Sequence, residues 1–261
     1  MRPCPLDCCQ LPSTLDLVTT SPYNFSARSG ATVRAVRKLA VLLVPLAFAL
    51  LGGCHKPPGR AKVAVSVFPV YDLVRRIAGP DADVTLVSPS SPRPDDARLF
   101  VLVGLGLDAW MEPLEPPHVR ILKVGDRVPT LTAKDGTIDP HVWLDPQRAR
   151  LMATAIAEDL ARTDSSHANA FRERAATLDA SLDALDREID GRASTWHGRA
   201  FTTADTGMAY FAERYRLDVK TGAASAGVPK VVLDSLGGTD TTGSYEALIR
   251  SDTAALEVSL R

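Results

Sequence analysis

The stretch HANAFRERAATLDASLDALDREID, residues 167–190, decides the fold. Phe171, Ala175, Leu178, Leu182, Leu185 and Ile189 follow one another at spacings of 4, 3, 4, 3 and 4, and the residues between them are mostly charged or small. That period draws one narrow apolar stripe along a helix, which Gly191 is expected to end. A coiled-coil seam has the same period, but only about three heptads are present, so a helix lying across a domain surface is the better reading.

Strand and helix patterns flank this helix on both sides. Residues 62–68, KVAVSVF, form a short Val-rich run of the kind that makes a buried strand. Val70, Leu73, Val74 and Ile77 then repeat at helical spacing until Gly79-Pro80 stops them. DVTLV (83–87) and LFVLV (99–103) predict two further strands, and residues 119–124 a weaker one. Beyond the stripe, residues 200–203 and 230–233 predict strands running out toward Asp205 and Asp234, and residues 206–215 and 245–260 predict helices. The organisation is βα units, a long helix, then more βα units, and the expected class is α/β.

Just before the helical region stands DPHVWLDP, residues 139–146, in which His141 lies between two Asp-Pro pairs. Asp145 is an expected N-cap and Pro146 an expected first helical residue, because the carboxylate accepts free backbone N–H groups and proline fixes φ. Met152, Ile156 and Leu160 continue that helix. In open parallel sheets, ligands bind just past the carboxyl ends of strands. His141, Asp205 and Asp234 all fall in or near such loops, so three potential metal ligands share one rim. On spacing alone they are equally the polar loop residues of any α/β protein.

Of the 261 residues, 45% are apolar and 23% charged, and the net charge is −1. There is no electrostatic case for a nucleic-acid partner. Cysteines occur only at positions 4, 8, 9 and 54, which excludes a disulfide framework from the remainder. Residues 34–54, RAVRKLAVLLVPLAFALLGGC, read as an export signal: Arg34, Arg37 and Lys38 precede an apolar run that ends in Gly52-Gly53-Cys54. The run is shorter than the ~20 residues a spanning helix needs. Cys54 is the expected lipid-bearing residue of a lipoprotein, with membrane lipid as its partner, and a plain membrane anchor is the alternative. Residues 1–33 fit no part of a signal and read as an extension upstream of the true start. Residues 55–61 read as a tether, residues 62–165 as a first α/β segment, residues 166–192 as the long helix and residues 193–261 as a second α/β segment.

The chain resembles the extracytoplasmic metal-binding subunits of bacterial zinc and manganese ABC importers, the cluster A-I binding proteins. The resemblance rests on VAVSVFPVYDLVRRIAG (63–79), VLVGLGLDAWMEPL (101–114), DPHVWLDPQRARLMATAIAEDLA (139–161), YFAERYRLDV (210–219) and GVPKVVLDSLGG (227–238). These pieces occur in the family's order, and DPHVWLDP is the most specific. The resemblance implies two α/β lobes joined by a rigid helix, with zinc or manganese held between them by three histidines and one acidic residue. It maps His141 onto the histidine of the DPHxW loop and Asp234 onto the acidic ligand. SPSSPRPDDAR (88–98) stands where the first family histidine belongs, and Asp205 stands where the third does. About forty residues of the usual second lobe are also expected to be missing (by comparison with the family pattern).

One imidazole and two carboxylates, with water completing the shell, would bind more weakly than three histidines and discriminate less between Zn²⁺ and Mn²⁺. Asp139 and Asp145 are both candidates to orient the imidazole, and for Asp145 the helix cap is the favoured role. His118, His167 and His197 match nothing in the family pattern. The expected function is the metal-binding subunit of an importer, a monomer working with membrane permease and ATPase subunits. The alternative is a degenerate relative that folds without binding metal. A hydrolase using His141 is a third reading, but G-x-S-x-G is absent and no cysteine follows Cys54.

Overall fold

A computed structural model describes residues 59–261, apart from 93, 134–135, 205, 222–225 and the side chains of 206 and 221. The expectations placed on residues 1–58, including the signal and Cys54, and on Asp205 lie outside the described residues.

Strand β1 (Ala61–Val65) is shorter than its apolar run, because the chain turns into helix α1 (Phe68–Ala78) as soon as Pro69 fixes φ in the first turn. Helix α1 ends at Gly79, whose φ of 56° is left-handed. That φ favours glycine, and a Cβ there would lie 2.8 Å from the Arg174 guanidinium, which would have to shift. Strands β2 (Ala82–Leu86), β3 (Leu99–Leu102) and β4 (Arg120–Lys123) complete a parallel sheet in the order β2-β1-β3-β4. Helix α2 (Pro146–Thr163) follows, capped by Asp145, whose carboxylate accepts the Gln147 N–H at 2.8 Å.

The long helix is α3 (Ala168–Ala193). Gly191 does not end it; the helix continues two residues further, because Gly191 keeps helical geometry and a Cβ there would meet open space. All six stripe residues are buried, each leucine worth roughly 1.5–3 kcal/mol in apolar transfer. The stripe packs on α1 and α2 on one side and on helix α5 (Tyr245–Ser259) on the other. Arg174 also donates to the carbonyls of Ile77 (3.1 Å) and Ala78 (2.7 Å), groups left unpaired at the end of α1.

The second sheet pairs β5 (Ala200–Thr203) with β6 (Asp218–Thr221) in parallel, with helix α4 (Ala209–Arg214) between them. β6 is short and polar, and the periodicity does not reveal it. The strand expected at residues 230–233 reduces to one parallel bridge, Thr202 to Lys230. Thr202 donates to the Pro229 carbonyl and accepts from the Val231 N–H, each at 2.8 Å. The chain then leaves the sheet: Val232 is 86% exposed, and the Asp234 N–H bonds Asp252 instead. One continuous apolar core runs from the first sheet through α3 to Phe201, Phe211 and Tyr245, and a smaller one around Phe100 and Met111 covers the other face of the first sheet.

Candidate metal centre

Residues 131–133 and 136–139 pair antiparallel just ahead of the DPHVW loop, as the two arms of a small hairpin. Thr132 and Ile138 form an antiparallel bridge, and the Asp139 N–H donates to the Leu131 carbonyl at 3.0 Å. Pro140 then directs the chain into His141, which precedes the turn Val142–Leu144 and helix α2.

Asp139 grips His141 twice. Its Oδ1 accepts the His141 backbone N–H at 3.0 Å and faces Nδ1 at 2.7 Å. A carboxylate at Nδ1 holds the ring proton there and leaves Nε2 with its lone pair, the form that ligates metal. The ring is 18% exposed and meets the indole of Trp143 edge-on, 5.2 Å between centroids. Asp139 is therefore the orienting carboxylate, and Asp145 is the helix cap. Burial pushes the Asp145 carboxyl up, against the opposing pull of the Gln147 N–H and Arg148.

Asp234 lies in the loop that follows the edge bridge. Its Oδ1 accepts the N–H groups of Leu236 and Gly237, each at 2.9 Å, and Oδ2 receives a long contact of 3.5 Å from the Thr242 hydroxyl. One carboxylate oxygen is thus committed to its own loop.

Three side chains brace these loops, and one of them, Trp143, joins the two. Trp143 Nε1 donates to the Ser235 carbonyl at 2.6 Å, and the Tyr245 hydroxyl donates to the Trp143 carbonyl at 2.7 Å. The Tyr210 hydroxyl donates to the Asp139 carbonyl at 2.7 Å and accepts the Leu131 N–H at 2.9 Å. Burial pushes both phenols above their ordinary value, which keeps the hydroxyls as donors. Sequence reading missed Trp143, Tyr210 and Tyr245 as organisers of the site; the available signal was that a buried indole or phenol must find a polar partner.

The structure thus joins the His141 and Asp234 loops through Trp143 and Ser235. Asp205 lies outside the described residues, and among those described no group of three or more His, Cys, Asp or Glu side chains is arranged to hold a metal ion. His167 bonds locally, with Nδ1 2.8 Å from Asp164, while His118 and His197 are exposed.

Residues 63–225 match the family described as ZnuA, zinc-uptake complex component A, periplasmic. The chain belongs to the ZnuA family. Among its relatives, the zinc-binding lipoprotein AdcA of Streptococcus pneumoniae is 24% identical over 216 residues, 70% of this chain and 43% of AdcA. The manganese-binding lipoprotein MntA of Halalkalibacterium halodurans is 25% identical over 175 residues, 60% of this chain and 58% of MntA. The chain therefore spans about half the length of these relatives. The periplasmic zinc-binding protein TroA of Treponema pallidum has the same fold, with a TM-score of 0.68 at 18% identity over 77% of this chain and 99% of TroA. Zn(II)-bound AdcA from Streptococcus pneumoniae gives 0.66 at 21% identity, over 77% of this chain and 58% of AdcA. Two α/β sheets astride a long helix are thus the ZnuA-family architecture, as the sequence implied. No helix among the described residues is long and apolar enough to cross a membrane.

Proposed function

We propose that this chain is the extracytoplasmic metal-binding subunit of an ABC importer for zinc or manganese. In this reading His141 Nε2, an Asp234 oxygen and Asp205 hold the ion, which is cargo and not a catalyst. Cys54 carries the lipid anchor, and permease and ATPase subunits receive the metal from a monomeric chain. The division into lobes at 62–165 and 193–261, with 166–192 between them, belongs to the same reading, as does the reduced affinity of a site with one imidazole.

The observation that carries the proposal is the oriented imidazole. Asp139 fixes its tautomer, and Trp143 ties its loop to the loop of Asp234. Such a carboxylate–histidine pair raises ligand basicity and is the usual companion of a metal-bound imidazole. Zinc would need nitrogen and oxygen donors converging at ~2.0–2.2 Å.

The test is calorimetric titration of the purified protein with Zn²⁺ and with Mn²⁺, beside His141→Ala and Asp234→Ala. Saturable binding that His141→Ala removes supports the reading; binding that is equal with and without His141 overturns it. A second reading, a family member that has lost metal binding, draws on the commitment of Asp234 Oδ1 to two backbone amides. The absence of saturable binding in the unaltered protein would select it.

A further inference from the structure

In a hydrogen-bonded antiparallel pair, two facing residues exchange two N–H···O bonds. Leu131 and Asp139 exchange only one directly, from the Asp139 N–H to the Leu131 carbonyl at 3.0 Å. The return bond is relayed. The Leu131 N–H donates to the Tyr210 hydroxyl at 2.9 Å, and that hydroxyl donates to the Asp139 carbonyl at 2.7 Å. A phenol from α4, beyond the long helix, is spliced into the last rung of the hairpin that presents His141.

The splice has a geometric consequence. Two consecutive bonds occupy the space where one of about 2.9 Å would close the rung, so the hairpin base is held open on that side. Asp139 is the residue at that base, and its carboxylate holds both the backbone N–H and the ring of His141. Pro140, between them, cannot absorb a turn in φ. The orientation of the Asp139 peptide is therefore passed to the imidazole.

Tyr210 is itself fixed. It is fully buried, and the Arg148 guanidinium lies 4.7 Å from its ring centroid. Arg148 is held by Asp145 at 2.5 Å, by Glu213 of α4 at 2.9 Å and by the Pro129 carbonyl at 2.9 Å.

We infer that Tyr210 is a positioning residue for His141: its hydroxyl, spliced into the hairpin base, carries the packing of α4 into the orientation of Asp139 and so of the imidazole. The inference deepens the metal-binding reading and rests on it for the zinc readout alone. Displacing α4 withdraws the hydroxyl, lets the rung close directly and turns Asp139 away from Nδ1. Presentation of the ligand is thereby coupled to the packing of the second lobe.

Tyr210→Phe keeps the ring and removes the splice. Tyr215→Phe is the control, because it removes another buried phenol hydroxyl, 3.2 Å from Asp186, away from the hairpin. Two readouts are made on the full chain. The first is the imidazole tautomer of His141 in metal-free protein, from long-range ¹H–¹⁵N correlations, with His167 and its Asp164 partner as the internal reference. The second is the rate of zinc release into excess chelator. Tyr210→Phe is expected to lower the Nδ1–H fraction at His141, leave His167 unchanged and speed zinc release about tenfold or more, with Tyr215→Phe near wild type in both. An unchanged His141 tautomer in Tyr210→Phe, or equal changes in Tyr215→Phe, overturns the inference. So does unchanged zinc release where His141→Ala abolishes binding. Should His141→Ala bind zinc normally, the metal-binding reading fails by itself, and the tautomer alone decides the role of Tyr210.

Discussion

Trp143 donates its indole N–H to the carbonyl of Ser235, 92 residues further along the chain, at 2.6 Å. This bond ties the DPHVW loop to the loop of Asp234. Trp143→Phe keeps most of the buried ring and removes the bond. Urea unfolding of that variant should show a loss of about 1–2 kcal/mol, and zinc affinity should fall with it. Full stability and affinity in Trp143→Phe would show that the two loops do not depend on the bond.

Asp234 offers a separation of fold from binding. An Asn side-chain oxygen can accept the Leu236 and Gly237 N–H groups as Oδ1 does, without the charge. Asp234→Asn should therefore stay within ~0.5 kcal/mol of wild type in unfolding. Its zinc affinity should fall by at least the ~10-fold that loss of an outer partner costs. Wild-type affinity in the Asn variant would remove Asp234 from the ligand set.

The long helix was legible to within a turn because Phe171 to Ile189 repeat without interruption and each is needed by the core. Its end was not, since a glycine with free space around it neither favours nor forbids another turn. The first sheet was legible because β1 and β3, apart from the exposed Lys62, are apolar and buried on both faces. β6 and the bridge at Lys230 were not, because they sit at the rim of a small sheet where hydrogen bonding, not apolar pattern, sets the geometry. At the site, the cap at Asp145 was legible because it is local, and of the two carboxylates offered for the imidazole it is Asp139 that meets Nδ1. Tyr210 lies 71 residues from Asp139, and nothing local in either segment announces the contact.

Gly191 is thus a place where the chain carries more backbone freedom than its helix needs. It lies inside α3 with nothing within 4 Å of a Cβ. Gly191→Ala should raise unfolding stability by about 0.4–1 kcal/mol, chiefly by restricting the unfolded chain. A destabilised alanine variant would mean that the helix does end at this residue in solution.

Asp186 on α3 is buried and accepts from Arg214 and Gln147, with the Tyr215 hydroxyl at 3.2 Å. Burial pushes its carboxyl up, but hydrogen bonds from Arg214 and Gln147 outweigh this and hold it below the ordinary range. The unfolded chain therefore binds the proton first. The stabilisation is complete above the unfolded carboxylate value of ~3.9 and is lost as pH falls through the lower folded value. Asp186→Asn should cost about 1.5–3 kcal/mol at neutral pH by weakening the charge-assisted bond from Arg214. The stability of that variant should fall less steeply in acid than wild type does, in urea titrations from about pH 5 to 2. Parallel acid limbs would exclude Asp186 from the response.

The hairpin that ends at Asp139 waits for a residue made 79 positions after Leu131. Strand pairing in the first sheet and the capping of α2 need nothing so remote. As the chain leaves the ribosome, the first sheet can collapse while the base of the hairpin still lacks its phenol. Compactness and binding competence are then separate events in time, and the second must come later. Closing a contact of that span carries a loop-entropy barrier that local contacts do not. Hydrogen-exchange protection of the first sheet and fixation of the His141 imidazole should accordingly appear as two phases in refolding, with the imidazole last.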